Sequence, residues 1–365
     1  MPRGETSKVA DGLENVVAAE TVLSKVDGEA GVLILRGHHL RDIAGRRSFE
    51  WLTGVLWQDF VDRPLSEEAL RRDLGQARER AFSSMRDTLP IAARLPPLAG
   101  LRLLLASVPD DADGAPLLLT ATVAVGLAAV IRIRAGKTPV APDPHTGHAA
   151  DFLRMLRGTA RTADESAALD TYLVTAADHG LNASTFTARV AASTRAGLAD
   201  AVTAALCALK GPLHGGAPGP VLDMLDAIGP AENAEAWLDA AVMRGDRLMG
   251  FGHRVYRVQD PRSDVVKAVV SRLNHDVGRL RYAEAVEQAA LAVLTTRKPN
   301  RSLQTNLEFY TALLLEALGI PRDAFTGVFA VARVVGWIAH ALEQQAEGRL
   351  IRPQSDYIGP LPRAA

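Results

Sequence analysis

The sequence predicts an all-α protein, and two observations support this prediction. Apolar residues recur at spacings of three and four in segments such as 67–85 and 233–249, which is the period of an amphipathic helix. The alternation typical of strands is nearly absent. The exception is residues 31–40, GVLILRGHHL, which predict a small hairpin or edge strand. Clusters of Gly and Pro join the helical stretches, so we expect a functional site at these joints.

Length and charge exclude several classes of protein. The 365 residues suggest about two domains. The net charge of -1 provides no global positive field to gather nucleic acid or an anionic membrane. Cys207 is the only cysteine, so no internal disulfide forms, and the amino-terminal segment lacks the apolar run of a signal peptide. We therefore expect a cytoplasmic protein, with the uncharged stretch Gly114–Ile131 as a buried core helix rather than a membrane span.

Two of the joints place a histidine beside glycines. His214 lies in KGPLHGGAPGP, and His253 lies in MGFGHRVYRVQDPR, where Arg257 and Arg262 follow. Glycine allows a ligand to approach the backbone closely, and imidazole exchanges protons near neutral pH. Either histidine alone could be an ordinary loop residue. Two such joints in one chain favour a binding or catalytic site.

Two arginines occur where a cation is unexpected. Arg333 lies within the apolar helical segment 329–344, and Arg352 follows the last predicted helix. A buried guanidinium is costly without an anionic partner. The partner could be a structural carboxylate such as Glu343, or it could be the carboxylate of a substrate held by two hydrogen bonds.

Two further residues have both an ordinary and a functional interpretation. His179 precedes an Asn-Ala-Ser-Thr segment that is typical of a helix start, so it could interact simply with the preceding helix end. Glu308 lies in the first turn of a helix beside Phe309 and Tyr310, where an apolar setting would raise its pKa and suit it to proton transfer. No Cys or carboxylate cluster completes a metal site with the remaining histidines, so we expect no metal.

Five segments occur in the chain in this order: KGPLHGGA, MGFGHRVYRVQDPR, TNLEFYTALLLEALGIP, FAVARVVGWIAHALEQ and RLIRPQSDYIGP. Together they resemble the citrate synthase family, and within it the shorter bacterial branch named citrate synthase 2. The resemblance also includes the weaker segments 35–57 and 179–190, and it covers nearly the whole chain after about residue 30.

The resemblance implies a helical homodimer with an active-site cleft between a large domain (1–217 and 324–365) and a small domain (218–323). The implied reaction condenses acetyl-CoA with oxaloacetate, with the coenzyme A thioester as a co-substrate and no permanently bound cofactor. Carrying the family's motifs over by position makes His214, His253 and Glu308 catalytic, and Arg257 a coenzyme A ligand. His179, Arg262, Arg333 and Arg352 would bind substrate carboxylates, Arg352 in the partner subunit's site.

Glu308 departs from the family's usual Asp at the position of the base. The carboxylate is kept but stands one methylene farther from the backbone, and a misplacement of about 1 Å can cost on the order of a hundredfold in rate. This departure leaves a non-catalytic regulatory homologue open as an alternative. The related 2-methylcitrate synthase reaction on propionyl-CoA also stays open, because one methylene is worth only about 1–3 kcal/mol of discrimination.

Overall fold

The computed structural model describes residues 11–13, 16–215, 218–273 and 277–360 of the chain. Gly216, within the first histidine joint, lies outside these ranges, and so does residue 217 at the expected domain boundary. The described residues are predominantly helical, which confirms the predicted fold class. The α-helices are α1 (Leu40–Ile43), α2 (Phe49–Trp57), α3 (Glu67–Ser84), α4 (Leu89–Ala92), α5 (Pro97–Leu105), α6 (Ala115–Arg134), α7 (His148–Arg157), α8 (Ala163–Ala176), α9 (Ala183–Ser193), α10 (Leu198–Leu209), α11 (Pro218–Ile228), α12 (Ala234–Arg244), α13 (Pro261–Leu273), α14 (Val277–Arg297), α15 (Leu307–Ala317) and α16 (Phe325–Glu347).

Local capping residues define where several of these helices begin. Ser66 accepts a hydrogen bond from Ala69 N–H at the start of α3. Thr162 and Glu165 form a reciprocal capping box at the start of α8. Such side chains satisfy amide donors that have no partner within the helix. Asn182 and Asn306 do the same for α9 and α15, the two helices that begin at the candidate site.

The predicted strand-forming run is confirmed as part of a three-stranded antiparallel sheet. Residues 31–40 contain β2 (Val32–Leu35) and β3 (His38–His39). The sheet also contains β1 (Ser24–Asp27), which pairs with β2 so that Asp27 faces Val32. Residues 28–31 form the loop of this first hairpin. The prediction did not include β1, whose sequence SKVD carries three polar residues.

Two long apolar helices form the centre of the protein. By length and composition α6 and the segment Arg322–Ala346, which contains α16, could each cross a membrane. The apolar windows of these helices are, however, 78% and 89% buried by the rest of the protein. The long helix α6 packs on α3, α5, α7 and α16, while α16 also packs on α8, α9 and α10. The prediction of a buried core helix within Gly114–Ile131 is confirmed.

Candidate active site

The candidate site forms where three joints and two helices approach one another. His179 lies in the loop between α8 and α9, His214 in the loop after α10, and His253 in the loop before α13. Glu308 lies in the first turn of α15, and Arg333 lies on α16. Burial lowers the pKa of both His179 and His214, and the charge of Arg333 adds to both shifts, so these groups share one electrostatic environment.

Backbone hydrogen bonds hold the His253 loop against the start of α15. Gly252 N–H donates to the Gln304 carbonyl at 2.7 Å, and Asn306 N–H donates to the Gly250 carbonyl at 2.9 Å. The Asn306 side-chain amide donates to the Gly252 carbonyl at 2.9 Å. Both Gly250 and Gly252 have positive φ, which favours glycine, and a Cβ at Gly250 would lie 2.9 Å from Phe309 Cβ. The segments that carry His253 and Glu308 are thereby joined.

His214 is held as a neutral imidazole by the start of α9. Ser184 N–H, one of the unpaired amides of that helix start, donates to His214 Nε2 at 3.2 Å. The Ser184 hydroxyl lies 2.8 Å from the same nitrogen and accepts a hydrogen bond from Trp337 Nε1–H at 3.1 Å. Burial, with a smaller effect from Arg333, lowers the pKa of His214 to about 4. With Nε2 acting as an acceptor, the ring hydrogen lies on Nδ1, which is then a donor.

His253 is neutral as well, and its two nitrogens are distinguished in the opposite way. Val255 N–H and Tyr256 N–H donate to Nδ1 at 3.0 and 3.1 Å, so the ring hydrogen lies on Nε2. Burial and the charge of Arg262 lower the pKa of His253 to about 4. Nε2 also lies 3.1 Å from the Arg262 Nη2 donor. Two donors therefore lie side by side, an arrangement that suits an oxygen acceptor within hydrogen-bond reach of both.

Arg262 lies in the first turn of α13, where it is buried and held by the carboxylate of Asp260, directly before that helix. Its Nε donates to Asp260 Oδ1 at 3.0 Å and its Nη2 donates to Asp260 Oδ2 at 2.8 Å. Burial opposes the charge of Arg262, but Asp260 outweighs this effect and raises the pKa of Arg262 above its usual value. Asp260 also accepts a hydrogen bond from Leu307 N–H at 3.3 Å, directly before Glu308.

His179 contacts Tyr256. His179 Nε2 lies 3.1 Å from the Tyr256 hydroxyl, and its ring packs edge-on against the ring of His253 at 5.3 Å. Burial lowers the pKa of His179 well below its usual value, with Arg262 as the next cause. The site thus contains three neutral histidines beside cationic arginines.

Arg333 is a buried guanidinium without a carboxylate bonded to it. It is 1% exposed, its Nε donates to the Ala176 carbonyl at 2.6 Å, and it lies over the Phe329 ring. No ion pair links Arg333 to an acid in the part of the chain that the structure describes. Burial lowers its pKa to about 10, with nearby Asp178 partly opposing this effect.

The suggested structural partner of Arg333 is paired elsewhere. Glu343 forms a buried ion pair with Arg189 and accepts a hydrogen bond from Val22 N–H at 2.9 Å. Asp178 Oδ1 lies 3.2 Å from His340 Nε2. The interpretation of Glu343 as the partner of Arg333 is therefore wrong.

Glu308 is a half-buried carboxylate that faces this cationic environment. Its amide donates to Asn306 Oδ1 at 3.1 Å, which fixes the start of α15. Burial raises the pKa of Glu308 above its usual value, and the charge of Arg262 partly offsets that effect. A carboxylate with a raised pKa is a stronger base once it is ionised.

A cavity of about 550 Å³ borders His253 and continues toward the surface. Arg257 lies at its exposed rim, and Leu213, directly before His214, also lines it. Asp246 is the acid among the lining residues, and it pairs with Arg244. The cationic lining residues are Arg247, Arg254, Arg257, Lys298 and Arg301.

Arg352 does not join the buried group within its own chain. It lies exposed on the segment that follows α16, which is attached to the body through the Ile351 N–H hydrogen bond to Ser193 Oγ at 3.1 Å. Farther along this segment Tyr357 and Ile358 are 68% and 94% exposed.

Sequence reasoning missed three residues that organise the site. Ser184 was included only in a capping segment, although its amide is the partner of His214. Tyr256 and Asp260 lie within the recognised joint but had no role assigned. The signal for Asp260 was its position two residues before Arg262, which permits a local bidentate ion pair.

Neutral histidines and a carboxylate beside unpaired cationic charge are typical of an acid–base enzyme that acts on an anionic substrate. Comparison with known proteins gives the family. The family model for the citrate synthase C-terminal domain matches residues 12–354. A protein of Mycobacterium tuberculosis named putative citrate synthase 2 is 38% identical, with 97% of this chain and 94% of that protein covered. Citrate synthase 2 of Bacillus subtilis is also 38% identical, with coverages of 96% and 95%.

Solved structures agree with these relatives. The citrate synthase of Thermotoga maritima superposes with a TM-score of 0.86 at 32% identity, over 98% of both chains. A ternary complex of carboxymethyl coenzyme A and oxaloacetate with the citrate synthase of Thermoplasma acidophilum superposes with a TM-score of 0.87 at 27% identity, again over 98% of both chains. The chain belongs to the citrate synthase family, and it is an acyltransferase of the citrate synthase type.

Proposed function

We propose that the protein condenses acetyl-CoA with oxaloacetate and water to give citrate and free coenzyme A, as an enzyme of the tricarboxylic acid cycle. The observation that carries this proposal is the buried guanidinium of Arg333, which is bonded to no carboxylate of the described residues, beside the Arg262–His253 donor pair. Family membership supports it independently.

Oxaloacetate would supply the anionic groups that this centre lacks. Arg333 and Arg262 would each bind a substrate carboxylate, and His179 would exchange its contact with the Tyr256 hydroxyl for one with the substrate. His253 Nε2–H would donate to the ketone oxygen, where negative charge develops as the new carbon–carbon bond forms. Its position beside Arg262 Nη2 is suitable, because both donors require an acceptor.

Glu308 and His214 would activate the second substrate. The ionised Glu308 carboxylate would remove a proton from the methyl group of acetyl-CoA, while His214 Nδ1–H would donate to the thioester oxygen. A neutral imidazole is a weak acid, so it stabilises the enolate mainly through a hydrogen bond with partial proton transfer. Hydrolysis of the resulting thioester would release citrate and coenzyme A.

The cavity beside His253 would bind the polyanionic end of coenzyme A. Its five cationic side chains face one acid that is already paired, so the cavity attracts phosphate groups. Arg257 at the exposed rim would contact these phosphates. No permanently bound cofactor is part of this proposal.

The complete enzyme would be a cytoplasmic homodimer with two domains. The small domain, 218–323, would close on the large domain after oxaloacetate binds and would exclude water from the thioester. The exposed segment that carries Arg352 supports a role across subunits, where Arg352 would reach a substrate carboxylate in the partner subunit's site.

A thiol-release assay tests the proposal directly. The purified protein is given oxaloacetate with acetyl-CoA or with propionyl-CoA, and free coenzyme A is measured. We expect turnover to be faster with acetyl-CoA. Faster turnover with propionyl-CoA would show a 2-methylcitrate synthase, and no turnover with either thioester would show a regulatory homologue.

A further inference from the structure

The loop of the first hairpin, residues 28–31, lies against the segment that follows His253. Arg257 N–H donates to the Gly28 carbonyl at 2.9 Å. A Cβ at Gly28 would lie only 2.1 Å from the Val255 carbonyl oxygen and 3.0 Å from Val255 Cγ1. Gly28 is not among the glycines with positive φ, so its requirement for glycine is steric. A side chain at position 28 would clash with the Val255 backbone. Rotation of a flexible side chain cannot remove this clash, so the backbone itself would have to move.

The backbone that Gly28 contacts is the backbone that orients His253. Val255 N–H, with Tyr256 N–H, donates to His253 Nδ1 and thereby places the ring hydrogen on Nε2. Nε2 is the nitrogen that faces Arg262 and the proposed ketone oxygen. The chain of contacts therefore runs from Gly28 through the Val255 backbone to the His253 ring.

The same hairpin also contacts the segment that follows His179. Gly180 N–H donates to Ser24 Oγ on β1 at 3.1 Å. A Cβ at Gly180 would lie 3.4 Å from Val26 Cγ2. One hairpin thus contacts the backbone segments that directly follow two of the three site histidines, His179 and His253.

We propose that the hairpin Ser24–Gly31 is a positioning element of the active site, and that Gly28 is the positioning residue that keeps the Val255 and Tyr256 amides on His253 Nδ1. The proposal deepens the proposed function and rests on it for the role of Nε2–H. With the amides in place, the hydrogen is directed toward the substrate. When they are displaced, the ring is free to carry its hydrogen on either nitrogen.

The variant Gly28→Ala tests this proposal through the His253 ring itself. Displacement of the two amides removes donors that favour an unprotonated Nδ1, so the pKa of His253 is expected to rise above about 4, and only in part because burial and Arg262, the main causes of its low pKa, remain. The ring is also expected to become a mixture of tautomers, and kcat is expected to fall by roughly 10- to 100-fold through misplacement of the donor. Affinity for oxaloacetate, which depends chiefly on the arginines, should change less than kcat.

Nitrogen NMR of histidine-labelled, substrate-free, full-length enzyme measures both the pKa and the tautomer, and the His253→Gln variant assigns the signal. Gly37→Ala is the matched control. Gly37 lies in the turn between β2 and β3 with φ of 85°, and a Cβ there meets nothing within 4 Å. This change strains the same sheet without touching the His253 loop, so the signal of His253 should stay at its parent values.

A folded Gly28→Ala variant with the parent pKa and tautomer of His253 would overturn the proposal, even if its activity fell. If Gly28→Ala does not fold, Asp27→Ala replaces it. Asp27 Oδ1 accepts a hydrogen bond from Ala30 N–H at 2.9 Å and so stabilises the loop, and its removal loosens the loop without introducing a steric clash. A smaller shift in the same direction is then expected, and no shift overturns the proposal. Because the NMR readout needs no turnover, a shifted His253 signal in Gly28→Ala, combined with a parent enzyme that shows no condensation activity, would refute the proposed function alone.

Discussion

Replacing Arg333 with Leu tests whether its buried charge serves a substrate carboxylate. Burial lowers the pKa of Arg333 from its usual value to about 10, a change that corresponds to about 3 kcal/mol. Both values lie above pH 7, so the guanidinium is charged whether the chain is folded or unfolded, and its burial destabilises the free enzyme. A bound carboxylate would recover much of this cost. Arg333→Leu should therefore weaken oxaloacetate binding by roughly 100- to 1000-fold.

Arg333→Leu should change the free energy of unfolding far less than it changes the affinity for oxaloacetate. Arg333→Leu removes the destabilising charge but leaves the Ala176 carbonyl without its donor, which costs about 1–3 kcal/mol, so the two effects nearly cancel. Calorimetric titration with oxaloacetate measures the dissociation constant, and denaturant unfolding measures the stability. An unchanged dissociation constant would show that Arg333 is structural.

Arg189→Leu provides the matched control. Arg189 is also buried, but it is paired with Glu343 and donates to Gln344 Oε1 at 3.0 Å. Its removal leaves a buried carboxylate unpaired, which typically costs about 3–5 kcal/mol of stability. The folded fraction of this variant should still bind oxaloacetate with the parent affinity, the reverse of the result expected for Arg333→Leu.

Three further predictions concern catalysis, subunit exchange and pH. Glu308→Gln keeps the size of the side chain but removes the base, so exchange of acetyl methyl protons and condensation should both fall by roughly two to four orders of magnitude, while calorimetry still shows oxaloacetate binding. Glu308→Asp should retain partial activity. A Gln variant as fast as the parent would exclude Glu308 as the base. Mixed Arg352→Ala and His214→Ala subunits, each inactive alone, should regain activity because one hybrid site is whole; failure after exchange is shown by mass spectrometry would remove Arg352 from the partner's site. The folded pKa values of His214 and His253, about 4, lie below the usual 6.5, so their contribution to stability is complete above pH 6.5 and is lost as pH falls toward 4, by at most about 3 kcal/mol each. Denaturant unfolding at pH 7, 5.5 and 4.5 checks this, and a stability that does not fall would contradict the burial of both rings.

The helical fold and the segments that meet at the site could be predicted from the sequence because they depend on local signals. Apolar periodicity marks α6 and α16, and Gly and Pro mark the joints that carry His214 and His253. These signals can be read from a single sequence, because helix formation and turn geometry depend mainly on residues that are close in sequence. β1 was missed because a short, polar strand is stabilised by its partner rather than by its own pattern.

The electrostatic partners could not be predicted, because they are separated in sequence and chosen by packing. Glu343 was a plausible partner for Arg333, and only the structure shows that it is paired with Arg189 instead. The hydrogen bond from Ser184 N–H to His214 joins residues 30 positions apart. Protonation states therefore came from the structure, whereas the identities of the titrating side chains came from the sequence.

The hydrogen bonds between the His253 loop and the start of α15 have a consequence for exchanging parts between relatives. Two backbone hydrogen bonds, Gly252 to Gln304 and Asn306 to Gly250, and one from the Asn306 side-chain amide to Gly252 connect the two segments. A chimera could import only the start of α15 from a relative, for example to introduce the usual Asp at position 308. Its capping residue would then come from the relative, while the His253 loop that this residue bonds to would come from this chain. Residues 249–262 and 303–309 form one transplantable cassette, and recombination breakpoints are best tolerated outside that pair rather than between its halves.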